Sequence, residues 1–399
     1  MTTLDIFRHL QSPDGLELLA MIAAEQPTIS TSIAVATRLR RRWPAELVAA
    51  ALTMHELRAR AQGRFPHADQ LWFTRAGLEQ ASSAAIARHR AARYWHQREV
   101  WDLCCGIGGD LLGLATELPD TPLTAVDRDP LHLAIATANA QVLGMARQIT
   151  FLEADVRDLQ IPDRAGVFID PARRTGQGRL ATGDSEPPLL WCFELAASGR
   201  AVGVKAAPGL DHDVLPPDWE FEAIAVGNDL KEAALWAPVL AQGLRSATVI
   251  RGNEVSTLHP LSGDDLEVRA PQAGEVLLDP NPAVTRSGLV GDLARSLPLP
   301  AAMIDPRIAF LIVAEAVDTP FARAMRIVDS FPWHEKRLKK RLRELNSGPV
   351  DVRRRGLAGD VDAIATRLRG RGDRPFMVAM TRMQDNPWAI ICERIGETS

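Results

Sequence analysis

The chain predicts an α/β fold: an open, mostly parallel sheet between an N-terminal helical domain and a C-terminal α+β domain. Three observations predict it. Residues 100 to 110, Val-Trp-Asp-Leu-Cys-Cys-Gly-Ile-Gly-Gly-Asp, read as a buried strand running into a glycine turn. From Glu99 to about Val249 strand-like runs alternate with helical ones, the pattern of right-handed βαβ units in a parallel sheet. Successive strand ends carry acids: Asp127 closes Leu-Thr-Ala-Val-Asp eighteen residues after Gly109, Asp155 ends the run from Ile149, and Asp170 ends the run from Ala165. In such sheets ligands sit beyond the carboxyl ends of the strands.

The elements follow in order. Residues 1–95 show helical periodicity, with Leu16, Leu18, Leu19 and Ile22 as one apolar stripe and Leu47, Val48, Ala51 and Leu52 as another. Pro27, Pro44 and Pro66 separate these pieces, and Thr74 is placed to cap a short helix. Residues 96–250 form the sheet domain, with later strands at Arg200–Lys205, Trp219–Val226 and Arg245–Ile250. Residues 251–316 break into shorter, Pro-rich pieces and read as a small α+β insert or linker domain. Residues 317–399 read as a β-α-β-α-β module, with helices at Trp333–Glu344 and near Val361–Arg369 and strands at Val350–Arg355, Pro375–Thr381 and Trp388–Cys392.

The glycine turn distinguishes two kinds of nucleoside cofactor. A dinucleotide fingerprint, G-x-G-x-x-G, counted from Gly106 places its third glycine where this chain has Leu111. Gly106 and Gly108 still allow a sharp turn and a close backbone approach, and Asp127 stands where a ribose diol needs a carboxylate acceptor. Together with Asp155 and Asp170, that order favours S-adenosylmethionine (AdoMet).

The segments Gln70-Leu-Trp-Phe-Thr-Arg-Ala-Gly-Leu-Glu-Gln80, Ile86-Ala-Arg-His-Arg-Ala-Ala-Arg93 and Asp102-Leu-Cys-Cys-Gly-Ile-Gly-Gly109 resemble bacterial class I AdoMet-dependent methyltransferases that carry a THUMP-like C-terminal domain. The resemblance spans nearly the whole chain. It implies a Rossmann-like class I methyltransferase sheet, AdoMet as cofactor, and RNA held by the THUMP-like module. The core is also similar to trimethylguanosine synthases. Those carry a Pro-Pro-aromatic motif at the catalytic strand end, whereas this chain has Asp170-Pro171-Ala172-Arg173, so their cap-guanosine substrate does not carry over. The expected cofactor contacts are Asp102, Cys104, Gly106, Gly108, Asp127, Arg128, Asp155, Val156 and Asp170.

Methyl transfer needs a nucleophile aligned on the methyl group and, for an amine, a place for the proton. Asp170 and Pro171 lie on that line, and a strand-end carboxylate can orient an exocyclic amine; the alternative is that Asp170 only caps the following turn. Arg173 and Arg174 lead a glycine-rich stretch to Arg179 that would close over a substrate phosphate or else remain a solvated loop. Lys205, at the next strand end, would contact a phosphate or a carboxylate. Asp170, Pro171, Arg173 and Lys205 are therefore the candidate catalytic residues. Cys104 and Cys105 invite comparison with enzymes that attack a pyrimidine covalently, but their place beneath the cofactor fits packing better. Trp72 and Phe73 would shield adenine, stack on a base, or act as an interdomain staple.

Charge adds a partner. A net charge of −4 conceals +5 over residues 1–98 and +7 over residues 334–374, leaving −16 elsewhere. Two basic flanks suggest RNA reached by both the N-terminal and C-terminal modules; the bland alternative is arginine solvating helices. With 399 residues, 46% of them apolar, the chain can fill several cores. Its four cysteines have neither metal spacing nor a secreted framework, and no stretch reaches membrane-span length, so a cytoplasmic protein without membrane attachment is expected. The sequence sets no oligomeric state. The expected function is methyl transfer to an RNA base; the alternatives are a methyltransferase-fold RNA-binding or assembly factor, and a methyltransferase for a protein or small molecule. The intact acid and glycine set disfavours a dead enzyme.

Overall fold

The computed structural model describes residues 2–28, 30–173 and 185–395, the Arg173 side chain excepted. They fall into two compact units, Met1–Glu220 with Ala233–Leu244, and Phe221–Glu232 with Arg245–Ser399.

The first unit opens with four helices, α1 (Thr3–Leu10), α2 (Pro13–Glu25), α3 (Ser32–Leu39) and α4 (Ala45–Ala61). A reciprocal capping box starts α1: Thr2 Oγ1 accepts the Asp5 amide at 3.2 Å and Asp5 Oδ2 accepts the Thr2 amide at 3.0 Å. Leu18, Leu19 and Ile22 meet Leu47, Val48 and Ala51 in one core. Leu16 does not join them and is 48% exposed, because two residues before Leu18 is the opposite side of a helix. Two short helices follow, α5 (Arg75–Gln80), capped by Thr74 Oγ1 accepting the Gly77 amide at 2.9 Å, and α6 (Ala84–Ala91).

The chain then alternates: β1 (Val100–Leu103), α7 (Gly109–Glu117), β2 (Leu123–Asp127), α8 (Pro130–Val142), β3 (Ile149–Glu153) and β4 (Gly166–Ile169). A short antiparallel pair, β5 (Ala172–Arg173) with β6 (Ser185–Glu186), precedes α9 (Leu189–Ala196) and β7 (Val202–Ala206). The spatial order β3-β2-β1-β4-β7 is parallel throughout. Strand order reverses between β1 and β4, which opens a crevice at their carboxyl ends. The unit boundaries fall inside β8 (Glu220–Val226) and β9 (Asp229–Trp236). The Trp236 end of β9 pairs antiparallel with β7, an addition that the polar start of β9 hides in sequence. Tyr94, fully buried, donates to the Val167 carbonyl at 2.8 Å, and Gly203 is required beneath it: a Cβ there would lie 2.5 Å from both the Tyr94 oxygen and the Trp236 ring.

In the second unit β8 pairs parallel with β10 (Arg245–Arg251), which pairs antiparallel with β11 (Glu254–Leu258). Next come β12 (Val276–Pro280), α10 (Pro282–Ser287), α11 (Val290–Ser296), β13 (Ala301–Met303), β14 (Leu311–Val313) and β15 (Ala322–Pro332). The chain ends with α12 (Glu335–Glu344), β16 (Ser347–Arg354), α13 (Val361–Leu368), β17 (Arg374–Met383) and β18 (Asn386–Arg394). One seven-stranded sheet, β13-β14-β12-β15-β18-β17-β16, holds them, so the stretch read as an insert shares hydrogen bonds with the last module through Leu277 opposite Met325. Alternation along β17 builds two cores: Met377 and Ala379 pack with Phe310 and Ile312, while Phe376, Val378 and Met380 pack with Leu338 and Leu342 of α12 and Ile364 and Leu368 of α13. No helix among the described residues is long and apolar enough to cross a membrane.

Candidate active site

The turn after β1 is built from left-handed backbone: φ is 59° at Cys104, 54° at Gly106 and 88° at Gly108. A Cβ on Gly106 would meet nothing within 4 Å, so open space lies against its backbone. Asp127, at the end of β2, accepts the Gly106 amide on Oδ2 at 2.8 Å and the Asp129 amide on Oδ1 at 2.9 Å. These bonds aim the carboxylate at the turn, and each oxygen has a second lone pair with which to accept a hydroxyl. Arg128 beside it is exposed.

Asp102, within β1, is 1% exposed, and neither carboxylate oxygen has a hydrogen-bond partner. Burial, and then the charges of Asp110, Asp170 and Asp127, push its carboxyl well above the usual range against the pull of Arg90. Such an orphaned polar group calls for a partner that the protein itself does not supply. Burial and the neighbouring acids likewise push the thiols of Cys104 and Cys105 up. Neither is poised as a thiolate, the form a nucleophile needs.

At the carboxyl ends of β4 and β7 the structure joins two residues singled out separately in sequence. Lys205 Nζ donates to Asp170 Oδ2 at 2.8 Å and to the Gln80 carbonyl at the end of α5, also at 2.8 Å. The Asp170 amide donates to the Leu103 carbonyl at 3.1 Å, and Pro171 behind it is buried. The Arg173 side chain, Arg174 and the glycine-rich stretch to Arg179 lie outside the described residues.

Past β3, Asp155 is gripped by Arg157: Oδ1 accepts the Arg157 amide at 3.0 Å and Nε at 2.9 Å, and Oδ2 accepts the terminal guanidinium nitrogen at 2.6 Å. This clamp pulls the Asp155 carboxyl down to about 2. Arg157 also reaches Glu186 at 2.9 Å, while the neighbouring Val156 is buried.

Trp72 and Phe73 belong to the helical core. Trp72 stands edge-on to Phe7 with centroids 5.4 Å apart, and Phe73 is tilted on Phe65 at 5.7 Å. Their link to the glycine turn is made by backbone through Asn139 of α8, which sequence reading missed. Its side chain accepts the Trp72 amide at 2.7 Å and donates to the carbonyls of Trp72 and Ile107 at 3.1 and 3.0 Å. An asparagine inside Ala-Thr-Ala-Asn-Ala was the only signal.

Most of the N-terminal arginines have partners within the chain, and three of them meet acids beyond residue 98. Of thirteen arginines before residue 99, Arg38, Arg42, Arg60, Arg75, Arg88, Arg90 and Arg93 pair with carboxylates, and Arg58 and Arg64 donate to backbone carbonyls. Among the described residues no cluster of His, Cys, Asp and Glu is placed to hold a metal.

Comparison with known proteins matches this arrangement. A methyltransferase-domain family profile matches residues 100–169, a THUMP-domain-like profile residues 322–394, and a profile for a domain of unknown function residues 3–61. An uncharacterized S-adenosylmethionine-dependent methyltransferase of Mycobacterium tuberculosis is 36% identical over 345 residues, covering 82% of this chain and 90% of that protein. A shorter likeness, 35% over 101 residues and covering 23% of this chain and 26% of that protein, is to a 23S rRNA (uracil-C5)-methyltransferase of Cronobacter sakazakii. The crystal structure of a protein assigned as a methyltransferase from Porphyromonas gingivalis superposes with a TM-score of 0.67 at 19% identity, covering 89% of this chain and 92% of that one, and so shares the fold. With its parallel sheet, its glycine turn and a relative matched over nearly its full length, this chain belongs to the S-adenosylmethionine-dependent methyltransferases and carries a THUMP-like module.

Proposed function

We propose that this methyltransferase transfers the methyl group to a nucleotide base of RNA. The observation that carries the reading is the Asp170–Lys205 pair at the carboxyl edge of the sheet, on strand ends that neighbour the Asp102, Gly106 and Asp127 set. The THUMP-like module and the short likeness to an rRNA methyltransferase support RNA as the class of acceptor.

The residues fit AdoMet. Asp127, already aimed by two amides, would accept the ribose hydroxyls, and the space against Gly106 would admit the ligand close to the backbone, while Gly108 packs on Ala136. The orphaned Asp102 would gain a partner from the bound molecule or its water. Asp155, Val156 and Arg128 would border the adenosine, with Arg157 fixing the direction of the Asp155 carboxylate. When bound, the cofactor supplies an electrophilic methyl group on a positively charged sulfur.

The chain's own work is to aim the acceptor. Asp170 would accept an N–H of an exocyclic amine and turn the nitrogen lone pair toward the methyl group. Lys205 would hold the Asp170 carboxylate in place against α5, and Pro171 would stiffen the strand end behind it. Arg173 would meet the substrate phosphate. Cys104 and Cys105, with raised thiols, would line the turn and form no bond to a base.

Mass spectrometry of RNA nucleosides from cells lacking the protein tests the reading. One methylated nucleoside should disappear and return with the intact gene. An unchanged nucleoside profile alongside loss of a methylated protein or metabolite would contradict it.

A further inference from the structure

Residues 334–374 hold thirteen lysines and arginines, and the fold uses most of them. Lys339 and Arg367 pair with Glu335 at 2.8 and 3.3 Å, and Arg341 pairs with Asp329 at 2.8 Å. Arg353 pairs with Asp351 at 3.1 Å, Arg374 with Glu393 at 2.9 Å, and Arg354 donates to the Gly359 carbonyl at 2.7 Å. Arg355 is tied to Asp279 at 2.7 Å and lies over the Phe310 ring at 5.2 Å, while Arg337 covers Phe331 at 4.3 Å. Each arginine of the Arg353-Arg354-Arg355 run thus has a partner in the fold, although Arg353 and Arg354 remain exposed.

Five cations remain. Lys336, Arg343, Arg369 and Arg371 have no carboxylate within ion-pair reach among the described residues, and Lys340 stands 4.0 Å from Glu344 with its side chain 81% exposed. Lys336, Lys340 and Arg343 are four and three residues apart, which puts them on one stripe of α12 about 10 Å long. Arg369 and Arg371 lie in a segment, Arg-Gly-Arg-Gly, held beside the chain that leaves α12: the Gly370 amide donates to the Gly348 carbonyl at 3.0 Å and the Gly372 amide to the Ser347 carbonyl at 2.9 Å. Only glycine allows the approach, because a Cβ on Gly370 would lie 1.9 Å from the Ser347 carbonyl oxygen and one on Gly372 2.0 Å from that of Asn346.

We infer that Lys336, Lys340, Arg343, Arg369 and Arg371 form a phosphate track for a single RNA strand. The inference rests on the RNA reading and deepens it by naming the surface. Residues 334–374 contain no Phe, Trp or Tyr, so the track grips the backbone and reads no base by stacking. Three of its five members are arginines, whose planar fork suits phosphate oxygens. A membrane surface would call for apolar anchors beside the charges, which this stretch of α12 does not offer.

The test uses the full chain, an unstructured oligouridine, an RNA hairpin and anionic phosphatidylserine vesicles, from 50 to 200 mM salt. Five contacts at about −0.7 each give a log–log slope near −3.5 on oligouridine, roughly a hundredfold weakening over that range. Replacing all five residues with glutamine should remove nearly all of that slope and weaken binding at 50 mM salt by at least tenfold. The variant Arg353→Gln, Arg354→Gln, Arg374→Gln should bind within twofold of the parent. An unchanged slope in the five-residue variant would overturn the track while leaving the RNA reading standing. Vesicle binding without RNA binding, or no RNA binding by the parent chain, would overturn both.

Discussion

Among single residues, the proposed AdoMet site turns first on Asp127. Two backbone amides fix it before any ligand arrives, so little ordering remains to be done on binding. Asp127→Ala should weaken AdoMet by about 1.5 to 3 kcal/mol, or roughly ten- to a hundredfold, in titration calorimetry. Unchanged affinity would remove Asp127 from the site. Asp155 makes a separate expectation about pH. Its carboxyl is pulled from an ordinary 3.8 down to about 2 by Arg157, so its ionised form is favoured by folding. That contribution is complete above about pH 4 and is lost as pH falls toward 2. The urea midpoint of Asp155→Asn should therefore lie below that of the parent at pH 5, with the gap closing as pH is lowered toward 3. A gap independent of pH would show that the clamp does not act through charge. What sequence made legible at this scale were the positions fixed by short spacing: the two glycines, Asp127 and the strand-end Asp170. The partners were not legible, because Lys205 is 35 residues from Asp170 and Asn139 is 67 from Trp72.

Among the elements, the first turn of α7, which follows the glycine turn, rests on a buried ion pair. Arg90 of α6, with 2% of its side chain exposed, pairs with Asp110 of α7, and Ser82 hydrogen-bonds to both. Gly113 lets the two helices touch; a Cβ there would lie 2.5 Å from that of Ala87. Removing one member of such a pair leaves a buried charge, so Arg90→Met should cost about 3–5 kcal/mol in chemical denaturation. Adding Asp110→Leu should recover a large part of that loss. If the double variant were no more stable than the single, packing and not charge would account for the effect. Periodicity found the helices and the parallel strands because burial on one face leaves a regular trace. It missed β9, whose first residues, Asp-Leu-Lys-Glu, lack that trace, and it placed Leu16 on a stripe that the helix geometry denies it.

At the scale of the molecule, a methyltransferase sheet and a THUMP-like module occur in one chain, and net charge did not tell which basic residues already have partners. Most arginines of the N-terminal region, and the three of the C-terminal run, have partners within the chain while many stay exposed, since a count of charges says nothing of their partners. The seven-stranded sheet shows the same limit: β12 to β14 join β15 through residues some fifty positions apart, a pairing that composition cannot signal. The role proposed for the Asp170 edge of the sheet is to aim an RNA base at the methyl group of AdoMet. The direct measurement is transfer of labelled methyl from AdoMet to RNA isolated from cells lacking the protein, comparing the parent chain with Asp170→Ala. Label is expected in one nucleoside with the parent, and at least a hundredfold slower transfer with Asp170→Ala at saturating AdoMet. Full transfer by Asp170→Ala, or no label in RNA with a parent chain that binds AdoMet, would contradict it.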